Sequence, residues 1–345
     1  MPMDRAAVKR LTEAQLDRAA GALVGTAVGD ALGVPYEFEC RPRLRSGESA
    51  QMLGGGLGDF APGQWSDDTS MTVAVAMAAA EGSLVSSRAL DAAATYFLRW
   101  YDDQPPDIGV QTRHVLRGAK SLLAEGKLNA AEASTVSALA YAADQPHSAG
   151  NGALMRTGPV ALSHPHDRVA TARAAYDIAR LTHADPLAVD SCVLWSEAIR
   201  VAIIEGRFEI VAGLDLLPDK RRADWVKRLN SAFRDDPNTF SPNGFTVTAL
   251  QAAISAITHT PDNADDPARH IEESLNTAIR IGNDTDTVAA IAGALLGARW
   301  GASAIPDSWR REIHGWPVTN GRPADDDTLV TLAQRAATHA NRSVT

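Results

Sequence analysis

Apolar positions in this chain recur with helical spacing, and alanine-rich segments of that kind follow one another along its length. Thr12-Glu13-Ala14-Gln15 fits a capping box, and Leu16, Ala19, Ala20, Leu23 and Val24 predict a helix from there to about Leu32. Gly33-Val34-Pro35 breaks it and leaves Glu37 in extended or loop structure. Ser66 or Asp67 is a natural N-cap and Gly82 a natural stop for a helix that reads as buried nearly all round. Further helices are predicted over 87–101, from Asp107 to Leu123, and over 130–143, 167–181, 186–204, 219–233, 245–258, 268–281, 288–300 and 328–341. The 219–233 segment is charged and amphipathic, as a solvated outer helix would be, while 313–325 reads as irregular. With no run of alternating strands and no linker, the fold class is all-α. A single compact orthogonal multi-helix domain is expected over 1–345, with its core at about 13–341.

Glycine marks two of these helices. Gly21, Gly25, Gly29 and Gly33 fall four apart in the first, and Gly293, Gly297 and Gly301 in the last long one. An interior glycine costs a helix about 1 kcal/mol, and spacing of four puts the set on one face, where backbones can approach closely. The two helices are expected to pack on each other and so to draw the two ends of the chain together.

Composition narrows the function classes. The chain has 345 residues, 45% hydrophobic and 22% charged, an ordinary globular balance. A formal net charge of -9 argues against nonspecific nucleic-acid binding. Two cysteines, Cys40 and Cys192, without a CxxC pairing make a zinc thiolate site or a disulfide scaffold a poor reading. No signal-peptide layout is visible at Met1–Arg5, and no apolar run reaches the ~20 residues needed to span a bilayer. A cytoplasmic protein with no membrane partner is expected.

Two oxygen-rich clusters stand out against the helical pattern. Ser66-Asp67-Asp68-Thr69 precedes the apolar run from Val73 to Ala80, and Asp284-Thr285-Asp286-Thr287 precedes the run from Val288. Either cluster alone reads as an acidic helix start. Together they set four aspartates, with the hydroxyls of Ser66 and Thr287, beside buried helices, where carboxylates repel unless a cation or a proton relieves them. Hard oxygen donors without thiolate select Mg²⁺, Mn²⁺ or Ca²⁺. Asp67 and Asp284 are therefore expected within reach of one shared cation site. Elsewhere the residues leave alternatives open. His183 reads as a core histidine, a metal ligand or a ligand contact, Arg156 as an ion pair, Asn151 as a turn residue and Asp107 as an N-cap. The glycine-rich loop from Gly54 to Gly63 lacks the Lys-Ser/Thr ending of a P-loop.

Several motifs coincide in one order: Gly29-Asp30-Ala31-Leu32-Gly33 with Pro35 and Glu37-Phe38, Gly54-Gly55-Gly56, Gly63 to Thr69, Gly150 to Arg156, Thr182-His183, and Gly282 to Thr287. In this the chain resembles the ADP-ribosylglycohydrolases, which include dinitrogenase-reductase-activating glycohydrolase and the ADP-ribosyl-acceptor hydrolases. The resemblance spans nearly the whole chain. It implies an all-α fold with a two-metal centre holding two divalent cations, Mg²⁺ or Mn²⁺. By motif, Ser66, Asp67 and Asp68 match one ligand group, and Asp284, Asp286 and Thr287 the other. Ser66 departs from the more usual threonine but keeps the hydroxyl. Glu37 matches a glutamate that approaches the metals, and with the four aspartates it forms the implied catalytic set. Gly150, Asn151, Gly152 and Arg156, with His183 nearby, fall where relatives cradle ADP-ribose. Asp107 matches a position that faces the leaving guanidinium in arginine-specific relatives.

The implied activity is hydrolysis of the ribose C1″ bond of an ADP-ribosylated protein or small conjugate, arginine-linked first, through an oxocarbenium-like state. Serine- or O-acetyl-linked ADP-ribose is the alternative among such hydrolases, and a metal-dependent phosphoesterase would use similar carboxylates. An inactive ADP-ribose-binding protein would show eroded acidic clusters, and here both are intact. A monomer is expected.

Overall fold

The structure is a computed structural model and describes residues 10–262 and 264–339. Among these residues fourteen α-helices follow in chain order: α1 (Glu13–Gly33), α2 (Asp67–Glu81), α3 (Ser87–Asp102), α4 (Val110–Ala124), α5 (Ala130–Asp144), α6 (Val160–Ser163), α7 (Arg168–Arg180), α8 (Pro186–Glu205), α9 (Asp219–Arg234), α10 (Thr246–Thr258), α11 (Pro267–Arg280), α12 (Thr285–Trp300), α13 (Asp307–Glu312) and α14 (Asp326–His339). Among the described residues the fold is all-α apart from one small hairpin, β1 (His314–Thr319) with β2 (Arg322–Asp325). Asn341, the expected end of the last helix, lies outside the described residues.

The centre is the antiparallel pair α1 and α12. Every residue of α1 from Ala19 to Gly33 is buried, as is every residue of α12 from Thr285 to Ala298. A Cβ at Gly21 would fall 2.2 Å from the Gly297 carbonyl oxygen, so the two backbones touch where side chains would normally intervene. Three interior glycines in α1 cost about 3 kcal/mol in helix propensity. Close backbone packing along a fully buried helix pair offsets that cost, since a buried helix takes its stability from packing rather than propensity. The ladder also fixes register. Gly21 meets Gly297, Gly25 meets Gly293, Gly29 meets Ala289 and Gly33 meets Asp286. The C-terminal end of α1 is thereby pinned to the N-terminal end of α12.

Around this pair, α2 and α14 pack on α1, and α8, α10 and α11 on α12, with α3, α4 and α5 outside α2. Buried apolar side chains from Ala19 to Ala337 form one contiguous cluster. The capping box at Thr12 is present, with Gln15 and Thr12 bonding each other's backbone. In α9 only Trp225, Leu229 and Ala232 are buried, in keeping with an outer helix.

Two local expectations change. Residues 313–325 are not irregular. Val318 pairs with Pro323 and Thr319 with Arg322 in an antiparallel hairpin, turned by Asn320 and Gly321 with φ of 52° and 77°. Asn-Gly with both residues left-handed is the favoured two-residue hairpin turn. Pro317 and Pro323 inside the strands had masked the pattern, and prolines are tolerated here because a two-stranded hairpin has only edge strands. At α4 the N-cap is Gly109, not Asp107, and no side chain caps it.

Candidate metal and active site

Three helix ends meet at the site: the C-terminus of α1 and the N-termini of α2 and α12. Their junction is held by Asp30, a charged residue with no exposed surface in the apolar part of α1. Its carboxylate accepts the Ser66 amide at 2.9 and 3.1 Å, the Thr69 amide at 3.0 Å and the Thr69 hydroxyl at 2.6 Å. Asp30 thus serves the orphan amides at the start of α2 from another helix, supplementing the Ser66 cap. On the other side, the Thr285 hydroxyl donates to the Gly33 carbonyl at 2.8 Å and ties α12 to the end of α1.

The two acidic clusters converge. Ser66 Oγ donates to Asp68 Oδ2 at 3.0 Å, and Thr287 Oγ1 reaches the same oxygen at 3.4 Å across the two clusters. Carboxylate oxygens of Asp30, Asp68 and Asp286 lie within 4.8 Å of one another, and so do those of Glu37, Asp284 and Asp286. These two trios share Asp286. Asp67 falls outside both: its Oδ2 accepts the Gly109 amide at 3.2 Å, and it faces the same cavity as Asp284. Asp30 was absent from the expected ligand set. Its signal in the sequence was a lone carboxylate inside an otherwise apolar buried helix, which needs partners.

Glu37 is brought in by a kinked 3₁₀ segment, Val34–Glu39. Phe38 and Glu39 both have left-handed backbones, with φ of 40° and 63°, and the Phe38 amide donates to the Asn283 carbonyl at 2.7 Å. Such conformations cost non-glycine residues about 1–3 kcal/mol each and persist where the surroundings enforce them. Here they turn Glu37 inward while Phe38 stays half exposed.

Two buried carboxylate oxygens, Glu37 Oε2 and Asp68 Oδ1, have no hydrogen-bond partner. Burial pushes Glu37 up to about 9, with the charges of Asp284 and Asp107 adding to it. Burial likewise raises Asp67 to about 8, aided by Asp107 and opposed by the Gly109 amide. Asp68 and Asp286 are pushed well above the ordinary carboxylate range, again by burial first and by neighbouring carboxylates second. Unpartnered oxygens on clustered, desolvated carboxylates are the fingerprint of a site that takes cations or protons, and oxygen-only donors fit hard divalent ions. The residues present therefore fit a pair of such ions, one beside Asp68 and Asp286 and one beside Glu37, Asp284 and Asp286.

The site opens into a cavity of about 330 Å³. It is lined by Glu37, Asp67, Asp107, Asp284, Asp286 and Thr287 together with Gly150, Asn151, Gly152 and His183. Among the described residues lining it there is no lysine or arginine. The Asn151 side-chain amide donates to Asp284 Oδ2 at 2.7 Å and to the Asn243 carbonyl at 3.1 Å. Asn151 thereby orients a carboxylate, and both of its donors are engaged. Asn243 completes the clamp. Its Oδ1 accepts the Asp284 amide at 3.0 Å, and its Nδ2 donates to the Gly282 carbonyl at 3.1 Å. Its sequence context, Pro242-Asn243-Gly244, reads only as a turn.

Arg156 does not line the cavity. Its side chain is fully buried behind the Gly150–Arg156 loop and stacks 4.5 Å over the Phe97 ring. It donates to the Gly152 carbonyl at 3.1 Å, the Ile178 carbonyl at 3.3 Å and Thr182 Oγ1 at 2.7 Å. Thr182 Oγ1, which accepts from Arg156, is also hydrogen-bonded to His183 Nδ1 at 2.7 Å, and this contact orients the His183 ring. Burial and the nearby guanidinium hold its pKa well below the usual value, so the ring is neutral. A side chain at Gly152 would meet this ring, with Cβ 3.1 Å from Cε1, so glycine keeps the cavity open there.

The chain matches the ADP-ribosylglycohydrolase family over residues 11–343. It is 29% identical over 307 residues to the ADP-ribosyl-[dinitrogen reductase] glycohydrolase of Rhodospirillum rubrum, covering 86% of this chain and 90% of that one. It is 29% identical over 311 residues to the ADP-ribosylarginine hydrolase Tri1 of Pseudomonas putida (strain GB-1), covering 87% and 75%. It is 26% identical over 359 residues to the ADP-ribosylhydrolase ARH3 of Gallus gallus, covering 91% and 94%. A solved structure titled ADP-ribosylglycohydrolase-related protein complex superposes with a TM-score of 0.68 at 26% identity, covering 95% of this chain and all of the other. The chain belongs to the ADP-ribosylglycohydrolase family, enzymes of ADP-ribosyl hydrolysis.

Proposed function

We propose that this enzyme hydrolyses the ribose C1″ bond of arginine-linked ADP-ribose on protein, with two divalent cations, Mg²⁺ or Mn²⁺, as cofactors. The observation that carries the reading is the pair of carboxylate trios joined at Asp286, of which Glu37, Asp284 and Asp286 line the cavity that Gly150, Gly152 and His183 also line. Asp68, Asp284, Asp286 and Glu37 would hold the cations, with Asp67 and the hydroxyls of Ser66 and Thr287 at their edge. When bound, the cations would supply Lewis-acid activation of water and of the ribose hydroxyls.

The chain's own groups do the rest. The loop at Gly150–Gly152 and the neutral His183 ring line the cavity without adding negative charge and would receive the pyrophosphate of the ligand. Asn151 and Asn243 keep Asp284 in place. Glu37, buried with one oxygen free, is the group that transfers a proton at the leaving atom. Asp107, on the cavity wall beside Asp67, lies where a departing guanidinium would pass. Two relatives named as ADP-ribosylarginine hydrolases favour arginine over serine or acetyl linkage. The single domain, cytoplasmic location and monomeric state expected from the sequence belong to this proposal.

Product analysis tests it. The protein is incubated with arginine-, serine- and acetyl-linked ADP-ribose, with and without EDTA. Free ADP-ribose from the arginine conjugate, lost in EDTA and restored by Mg²⁺ or Mn²⁺, is the expected result. AMP as product, or undiminished activity in excess chelator, contradicts it.

A further inference from the structure

The larger cavity in this region is not the one at the trios. It measures about 640 Å³ and lies between the turn after α3 and the β1–β2 hairpin. Asp67 and Asp107 line both cavities, so these two carboxylates form the wall between them. A ligand whose reacting carbon sits at that wall has its two halves in different cavities.

The chemistry of the second cavity is distinct. Trp316 supplies the exposed aromatic surface, while Trp65 and Trp100, which also border the cavity, are almost fully buried. Trp316 is fixed at its edge, where its indole N–H donates to Asp103 Oδ2 at 2.8 Å, and over its ring, where Arg99 lies 5.9 Å from the centroid. The carboxylates of Asp67, Asp103 and Asp107 thus outnumber the Arg99 guanidinium, which Trp316 already engages. Carboxylates beside aromatic faces attract cations and repel phosphate. The neutral His183 and the glycine loop are on the other cavity, so a pyrophosphate is better served there.

We propose that the second cavity is an acceptor subsite. It takes the polypeptide flanking the modified residue, with a cationic side chain, arginine or lysine, set against Trp316 and Asp103. This rests on the glycosidic-bond reading above, and it adds a specificity element that the hairpin brings to the site. Gly315 helps shape the wall: a Cβ there would lie 2.2 Å from Trp65 Nε1.

The test uses Asp103→Asn and Trp316→Ala, neither of them in the catalytic set. Two ADP-ribosyl-arginine peptides are compared, one with lysine or arginine neighbours and one with alanine neighbours. Each variant is expected to raise KM for the cationic peptide about tenfold, with kcat, the alanine peptide and the Kd of free ADP-ribose all within about twofold of wild type. Equal losses on both peptides, no change with Asp103→Asn, or weakened ADP-ribose binding would overturn the proposal; the last would mean the cavity holds the nucleotide. Agmatine, an alkylguanidinium, titrated into Mg²⁺-saturated protein separates this inference from the functional one. Binding that weakens in Asp103→Asn supports the subsite even if no conjugate is hydrolysed, and binding indifferent to that change contradicts it.

Discussion

Gly33 and Asp286 touch backbone to backbone: a Cβ on Gly33 would lie 2.4 Å from the Asp286 Cα. The last rung of the α1–α12 ladder is therefore also the floor of the carboxylate site, and packing and chemistry share one contact.

Alanine at the two ends of that ladder separates the roles. Gly21→Ala meets the Gly297 carbonyl oxygen at 2.2 Å, far from the site. Overpacking costs about 3 kcal/mol at the upper end of its usual range, and alanine returns about 1 kcal/mol of helix propensity. A net loss of about 2 kcal/mol in urea unfolding is expected, with cation affinity unchanged. Gly33→Ala should lose similar stability and also weaken Mn²⁺ binding at least tenfold by calorimetry. Equal cation affinity in both variants would deny the link between ladder and site.

Asp30 is predicted to position α2 rather than to hold a cation. Three donors, the Ser66 amide and the Thr69 amide and hydroxyl, already converge on its carboxylate, the Thr69 pair both on Oδ2. Asp30→Asn places an amide donor against amide donors. It should cost about 2–3 kcal/mol of stability, the range for a buried bond to a charged group, and weaken Mn²⁺ binding while leaving the number of bound ions at the wild-type value. Loss of one ion would make Asp30 a ligand.

The raised carboxylates set a pH dependence whose sign reverses with cation. Glu37 and Asp67 have folded values of about 9 and about 8, above their unfolded values near 4. Their stabilising protonated forms are fully present below about pH 4, and that contribution is lost as pH rises through 8 and 9. His183 works the other way. Its folded value is depressed, so its contribution is present above about 6.5 and lost below. Between pH 6.5 and 9.5 the carboxylates dominate. The melting temperature of EDTA-treated protein should fall across that window, while saturating Mg²⁺, which favours the ionised forms, should flatten or invert the slope. The same downward slope with and without Mg²⁺ would contradict the cation site.

How far the sequence revealed all this depends on range. The glycine spacing of α1 and α12 is local, and it was enough to anticipate that the two acidic clusters meet. Which oxygens converge is not local. Asp30 finds its partners 36 and 39 residues away, at Ser66 and Thr69. Its pairing, like the exclusion of Asp67 from both trios, depends on helix rotation that no spacing encodes. Arg156 shows the same limit: its sequence context reads as an ion pair and the resemblance implies an ADP-ribose contact, yet desolvated stacking on Phe97 makes it a support for Thr182 and His183. The hairpin is hidden in the sequence because prolines interrupt its alternation, although Asn320-Gly321 marks its turn.

The shared position of Asp286 gives the most direct test of the two-cation account. Mn²⁺ titrated into the chelator-stripped protein, with bound ions counted by calorimetry, should give two ions per chain. Glu37→Ala and Asp68→Ala should each bind one, and Asp286→Ala should bind none with comparable affinity. Two ions retained by Asp286→Ala, or no more than one in the wild type, would contradict it.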